Sequence, residues 1–316
     1  MDKELRYNEP WILQRADPYV YRHTDGFYYF TASLPEYDGI ALRRADTLAG
    51  LAQAEEVRVW NRHESGIMSF HIWAPELHYL DGKWYIYFAG SDKDDIWALR
   101  PYVLECGDQD PLTGSWTEKG MMQAAEDDAF SFTDFSLDGT VFTCKGKRYY
   151  VWAEKVSVGK KISNLYIARM ESPCKLATAQ VLLATPCYDW ERIGFWVNEG
   201  PFAIIRNGKV FLTYSASETG IDYCVGLLTA DEDADLLDPE SWTKSRQPVL
   251  RSDVSRKIYG PGHNCFTKDE QGNDIMVYHA RTETEIEGDP LYNPNRHAML
   301  MKITWSQDNK PIFSYD

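Results

Sequence analysis

A repeat decides what this chain can fold into. Five segments, residues 17–32, 74–89, 138–153, 199–216 and 263–280, each run from a short strand through a turn at glycine into a strand of mostly aromatic and aliphatic residues. The turns read Asp25-Gly26, Asp81-Gly82, Lys145-Gly146, Asn207-Gly208 and Gln271-Gly272, a β-hairpin signal. Successive turn glycines stand 56, 64, 62 and 64 residues apart, so 316 residues hold five units. Each unit has room for four strands and a long loop. A weaker outer repeat, Asp110-Pro-Leu-Thr-Gly-Ser-Trp-Thr and Asp238-Pro-Glu-Ser-Trp-Thr, follows the second and fourth hairpins at similar distances. Four-stranded antiparallel units repeated around an axis close as a propeller. The expectation is an all-β, five-bladed β-propeller forming a single domain over residues 1–316, with its best helical stretch at residues 46–56.

Charge narrows the partners. A net charge of −15 repels phosphate backbones and anionic headgroups, so neither nucleic acid nor a membrane surface is expected, and a neutral ligand fits better. The 11 Trp and 20 Tyr suit strands, and they also suit the flat faces of sugars. No run of about 18 apolar residues is present, so no transmembrane helix is expected. The first ten residues, Met-Asp-Lys-Glu-Leu-Arg-Tyr-Asn-Glu-Pro, lack the apolar segment of a signal peptide, which reads as a cytoplasmic protein. Cys106, Cys144, Cys174, Cys187, Cys224 and Cys265 form no C-x-x-C pair and are expected as free thiols.

In a propeller the first strand of each blade lines a central channel and opens at one mouth. Four of the five units begin there with an ionisable group: Asp17, Asp138, Glu199 and His263; the second has Ala74-Pro75-Glu76. Alone, each acid reads as a turn residue satisfying backbone N–H groups. Recurring at one place in the repeat, they converge on one axis. Facing carboxylates repel, so at least one pKa should rise and leave a general acid beside an ionised base. Two carboxyls flanking a bond, far enough apart to seat a water, are the arrangement of inverting glycoside hydrolysis.

At these residues the sequence resembles glycoside hydrolase family 43, the five-bladed arabinanases, α-L-arabinofuranosidases and β-xylosidases. The matching motifs are Arg15-Ala-Asp17-Pro-Tyr-Val, Trp73-Ala-Pro-Glu76, Ser136-Leu-Asp138-Gly-Thr-Val-Phe, Asn198-Glu199-Gly-Pro-Phe, Tyr259-Gly-Pro-Gly-His263-Asn and Tyr278-His-Ala-Arg281, in the family's order and in phase with the repeats. The resemblance implies that Asp17 is the general base, Glu199 the general acid and Asp138 the acid that raises the pKa of Glu199 and orients it. It implies hydrolysis with inversion and no required cofactor. His263 matches a channel histidine that in relatives touches a bound calcium or its water shell. Here a structural calcium in the central channel, held through water, stands beside the alternative of a hydrogen-bonded core histidine. The acidic run Asp231-Glu-Asp-Ala-Asp235 is not a calcium loop, because Leu236 and Trp242 stand where glycine and glutamate belong.

Substrate-side candidates are Arg281, Arg296, Trp73, Phe135 and Trp196, each also readable as structural. The sequence runs only a little past the last repeat, so no β-sandwich or carbohydrate-binding module is expected to follow. Together with the missing signal peptide this favours imported arabino-oligosaccharides as substrate. The expected activity is exo-acting release of terminal α-L-arabinofuranosyl units, with residues 35–39 and 283–295 as cleft-blocking segments. A β-xylosidase, an endo-arabinanase and a non-catalytic sugar-binding propeller are the alternatives. The three acids argue against the last.

Overall fold

The computed structural model describes residues 5–155 and 162–315, and these form strands joined by loops. Among them there is no α-helix, only short 3₁₀ turns, and no helix long and apolar enough to cross a membrane. The helical stretch expected at residues 46–56 shrinks to one such turn, Ala49–Ala52. Gly50 sits inside it, and Leu48 and Leu51 are its buried anchors, too few for a helical face.

The strands fall into five antiparallel runs, each starting at one of the repeats. The first comprises Ala16–Arg22, Tyr28–Ser33, Gly39–Ala45 and Val57–Asn61, and the second Phe70–Leu80, Lys83–Asp92, Asp95–Cys106 and Trp116–Met121. The third holds Ser136–Cys144, Lys147–Lys155, Ile162–Ser172 and Val181–Ala184, and the fourth Trp196–Arg206, Lys209–Ala216, Cys224–Asp231 and Thr243–Lys244. The fifth takes its outer strand from the other end of the chain: Tyr259–Lys268, Asp274–Arg281 and His297–Lys302 are completed by Pro10–Ile12. The third and fourth runs are bridged into one sheet by a short parallel pairing of Ile162 and Ser163 with Trp196 and Val197. The outer sequence repeat is the fourth strand of its run, Trp116–Met121 and Thr243–Lys244.

Inner strands touch one another in succession, and the fifth touches the first. Aromatic residues of the second strands fill the spaces between runs. Tyr29 of the first run meets Trp84 of the second at 4.9 Å between ring centroids, and Tyr87 meets Tyr150 of the third at 5.8 Å. All four rings are buried, each worth about 1.5–3 kcal/mol by transfer from water. Much of the aromatic content is therefore core. The six cysteines are free, four of them buried.

Candidate active site

All five inner strands carry the same bulge near the start. Ala16 faces Ser33 and Tyr19 faces Thr31, so three steps on one strand match two on its partner. The slip recurs between Trp73 and Glu76, Leu137 and Thr140, Glu199 and Phe202, and Gly262 and Cys265. Within each bulge one residue takes a left-handed backbone: Asp17 (φ 53°), Ala74 (46°), Asp138 (56°), Gly200 (53°) and His263 (45°). For residues with a Cβ this conformation costs about 1–3 kcal/mol and persists where the surroundings over-determine it. The bulge re-aims a side chain out of the strand's alternation.

Three of the four ionisable groups expected at one repeat position, Asp17, Asp138 and His263, do share it. Glu199 does not. In the fourth run the bulge falls on Gly200, where a Cβ would lie 3.2 Å from the His263 ring, and the acid comes from the residue before.

The bulge amides tie neighbouring runs together. Ser33 Oγ accepts from the Ala74 amide at 2.8 Å, Asp138 Oδ2 from Gly200 at 3.0 Å, Ser215 Oγ from His263 at 2.7 Å and His279 Nδ1 from Asp17 at 3.0 Å. His279 thus joins the last run to the first by the contact that serine makes at two other seams.

Asp17 is the hub of one wall. Ser33 Oγ donates to its Oδ2 at 2.5 Å, and its Oδ1 lies 3.3 Å from His263 Nδ1, 3.3 Å from His279 Nδ1 and 3.5 Å from Arg296 Nη1. Burial alone would raise its pKa, but His263, Arg296 and His279 hold it well below the usual carboxylate range. Asp17 is ionised. Glu199 accepts at Oε1 from the Tyr223 hydroxyl at 2.8 Å. Burial raises its pKa and Asp17 adds to this, against Tyr223, His263 and Lys155. Asp138, 3.7 Å from His263 Nδ1, is also raised, by burial first and then by Glu199 and Asp17, with His263 and the Gly200 amide opposing. Burial disfavours charge on His263, but Asp17, Asp138 and Glu199 outweigh it and raise its pKa.

These side chains line one cavity of about 690 Å³. Trp73, Phe135 and Arg296 line it too, where the sequence places them. Arg296 is buried, donates from Nη2 to Tyr37 Oη at 2.7 Å, and keeps a buried Nε without a partner. Trp196 and Arg281 do not line it. Phe195, Val197 and Glu199 face the cavity, so strand alternation turns Trp196 away, and the Arg192 guanidinium lies 4.4 Å from its ring. Arg281 is buried behind the 289–293 loop, donating to Asn293 Oδ1 at 2.6 Å and Pro290 O at 2.7 Å. It positions a wall of the cavity.

His263 offers calcium a poor site. Its Nδ1 faces two carboxylates already engaged with seam hydrogen bonds or cations, it supplies no oxygen, and among the described residues no three His, Cys, Asp or Glu side chains gather as a ligand set. The residues present therefore do not fit direct ligation of that ion.

Sequence reasoning passes over Ser33, Tyr37, Trp97, Lys155, Tyr223 and His279. Trp97 is half exposed and lies 28° off parallel to Phe135, with centroids 6.5 Å apart, while Lys155 Nζ sits 3.9 Å from the Phe135 ring centroid. Two had a signal: Tyr37 falls inside the 35–39 segment read as cleft-blocking, and His279 inside the Tyr278-His-Ala-Arg281 motif.

The model of the family described as "Glycosyl hydrolases family 43" matches residues 7–311. A protein of Streptomyces avermitilis named "Extracellular exo-alpha-(1->5)-L-arabinofuranosidase" is 50% identical over 98% of this chain and 63% of its own length. A protein of the same name from Streptomyces chartreusis is 50% identical over 90% of this chain and 85% of its own. The chain therefore spans under two thirds of one of these relatives and most of the other. The crystal structure of an α-L-arabinofuranosidase from Lactobacillus brevis is 51% identical, covers 98% of both chains and superposes with a TM-score of 0.91. The cytoplasmic placement is overturned by the two Streptomyces proteins, both named extracellular. It rested on the first ten residues alone, and their composition does not outweigh half-identity to extracellular proteins along nearly the whole chain.

Proposed function

The chain belongs to glycosyl hydrolase family 43, and from that premise we propose that it is an inverting exo-α-L-arabinofuranosidase releasing terminal arabinofuranosyl units from α-1,5-linked arabino-oligosaccharides. One observation carries the reading: two carboxyls of a single cavity, Asp17 and Glu199, have pKa values pushed in opposite directions. That is the requirement for a base and an acid working together near neutral pH. Asp17 takes a proton from a water whose oxygen forms the new bond to the anomeric carbon. The glycosidic bond breaks on the opposite face, and Glu199 protonates the departing oxygen. Asp138 keeps Glu199 protonated. Water, one base and one acid balance the reaction, so no cofactor is required.

The exo mode follows from the wall at residues 289–292. Arg281 clamps it from behind, Tyr37 Oη donates to Leu291 O at 2.6 Å, and Tyr292 Oη lies 3.0 Å from His71 Nε2. Asp289, Pro290 and Leu291 line the cavity, closing it on the side of Asp17 and Arg296. The unpartnered Arg296 Nε supplies a donor for a hydroxyl of the terminal sugar, and Trp73 a surface for its face. We read the five runs as blades of one five-bladed propeller in a single domain, supported by the inner-strand contacts that return from the fifth run to the first.

The test is a side-by-side assay on p-nitrophenyl α-L-arabinofuranoside, p-nitrophenyl β-D-xyloside and linear arabinotriose, with NMR of the first sugar formed. Arabinose released first as its β-anomer is expected. Faster xyloside cleavage, early dimer from longer oligomers, or no turnover would replace the reading by a xylosidase, an endo-enzyme or a sugar-binding propeller.

A further inference from the structure

Tyr223 belongs to no sequence motif, yet the structure clears space for it. Its ring is buried between the fourth and fifth runs, just before the strand Cys224–Asp231. Gly262 makes room: a Cβ there would lie 2.3 Å from Tyr223 Cε1 and 2.4 Å from Cδ1. This accounts for the second glycine of Tyr259-Gly-Pro-Gly-His263. On its other side the ring lies nearly parallel to His279, 8° off at 5.6 Å between centroids. The phenol is thereby held at one place, against Glu199.

The direction of its hydrogen bond is fixed by counting protons. Ser215 Oγ accepts the His263 amide at 2.7 Å, and the Ser215 hydroxyl also hydrogen-bonds the Tyr223 phenol. Serine has one O–H and two lone pairs, one of them taken by His263, so the direction of its bond with Tyr223 is set by where the single phenol proton goes. Tyr223 in turn has one O–H, and it goes to Glu199 Oε1 at 2.8 Å. The chain runs one way, from the His263 amide through Ser215 and Tyr223 to Glu199.

We infer that Tyr223 is a positioning residue that dictates which oxygen of Glu199 carries the catalytic proton. A carboxylic acid has one proton and two oxygens. With Oε1 permanently accepting from Tyr223, the proton resides on Oε2, the oxygen free to deliver it to the leaving group. Once Glu199 has given up its proton, the same donor stabilises the carboxylate, so Tyr223 assists the transfer without touching substrate. The inference rests on Glu199 being the general acid.

Leaving-group dependence tests it. Tyr223→Phe keeps the ring and its stacking and removes only the O–H. General acid–base help is worth about 10²–10⁴-fold in total, and the phenol's share should appear as roughly a tenfold or greater loss of kcat on arabinotriose. A dinitrophenyl arabinofuranoside, whose leaving group needs no proton, should lose less than about threefold. In a Glu199→Gln background, where there is no acid proton to place, adding Tyr223→Phe should cost nothing further. Gly262→Ala, which displaces the ring while leaving the phenol intact, should give the same substrate-selective loss. Equal losses on both substrates, or additive losses in the double variant, would overturn the inference and leave Tyr223 a core residue. Glu199→Gln alone separates the two failures. If it spares the dinitrophenyl substrate while Tyr223→Phe shows no selectivity, only this inference falls. If it does not, the general-acid reading falls as well.

Discussion

The two walls of the cavity hold chemically similar groups in opposite states. On one, Asp17 is surrounded by the Ser33 hydroxyl, two histidines and the Arg296 guanidinium, and is held ionised. On the other, Glu199 has a single neutral donor, Tyr223, and its pKa is raised. The backbone makes the same contrast. Asp17 occupies a bulge in the left-handed conformation, whereas Glu199 keeps a regular strand position and leaves the bulge to Gly200. Side-chain type therefore does not assign base and acid here. Direct contact does: Asp17 lies 3.3 Å from His263 Nδ1 and 3.5 Å from Arg296 Nη1, both supplied by the last run and the loop that leads into its third strand, whereas Glu199 meets a neutral phenol.

The sharpest way to break this comparison is to remove one wall at a time. Asp17→Ala is expected to lose activity at the upper end of about 10²–10⁴-fold, on arabinotriose and on an activated aryl arabinofuranoside alike, because water must be activated whatever leaves. Azide should restore part of that rate by replacing the water, giving an inverted glycosyl azide. Glu199→Ala is expected to lose about 10²–10³-fold on arabinotriose and little on the activated substrate. Should Glu199→Ala be equally dead on both while Asp17→Ala retains arabinotriose activity, the two roles would have to be exchanged.

A smaller effect probes what lies behind the first wall. Arg281 reaches the 289–293 loop and not the cavity, so Arg281→Ala should loosen the wall without touching the acid or the base. KM for arabinotriose should rise about tenfold, the scale of one charge-assisted hydrogen bond, with kcat within about twofold. Steady-state kinetics decide it: a fall in kcat with KM unchanged would place Arg281 in the chemistry after all.

What could be read from sequence follows from which contacts are local. The hairpin period is local, and it located the five runs and brought Asp17, Asp138 and His263 to one position. Glu199 was found as well, but its offset by one residue was hidden, because a bulge at Gly200 depends on how closely His263 of the next run approaches. For Trp196 sequence leaves two readings open, and the neighbours Phe195 and Val197 line the cavity while Trp196 does not. Sequence cannot choose between the two readings of Arg281, because its partners, Pro290 and Asn293, lie in a loop without periodicity. Ser33, Tyr223 and His279 act across seams between runs, and no pattern within one repeat announces a partner in the next.

Asp138 stands between the walls, and its charge sets the smallest of these effects. It accepts the Gly200 amide beside Glu199; burial raises both acids, Asp17 adds to each and Glu199 adds to Asp138, and charges on the two neighbours oppose one another. Catalysis needs Glu199 protonated, so the alkaline limb of the kcat profile reports loss of that proton. In Asp138→Asn the amide oxygen still accepts from Gly200, but a negative neighbour is gone. Ionising Glu199 then costs less, its pKa falls, and the limb moves to lower pH, by about one unit for a like charge at this range. The acid limb should stay in place, since it reports protonation of Asp17, whose low pKa is maintained by His263, Arg296 and His279. Profiles on arabinotriose measure both limbs at once. A shift of the acid limb with the alkaline one unmoved would mean that Asp138 serves the base, and that the contrast between the two walls is drawn in the wrong place.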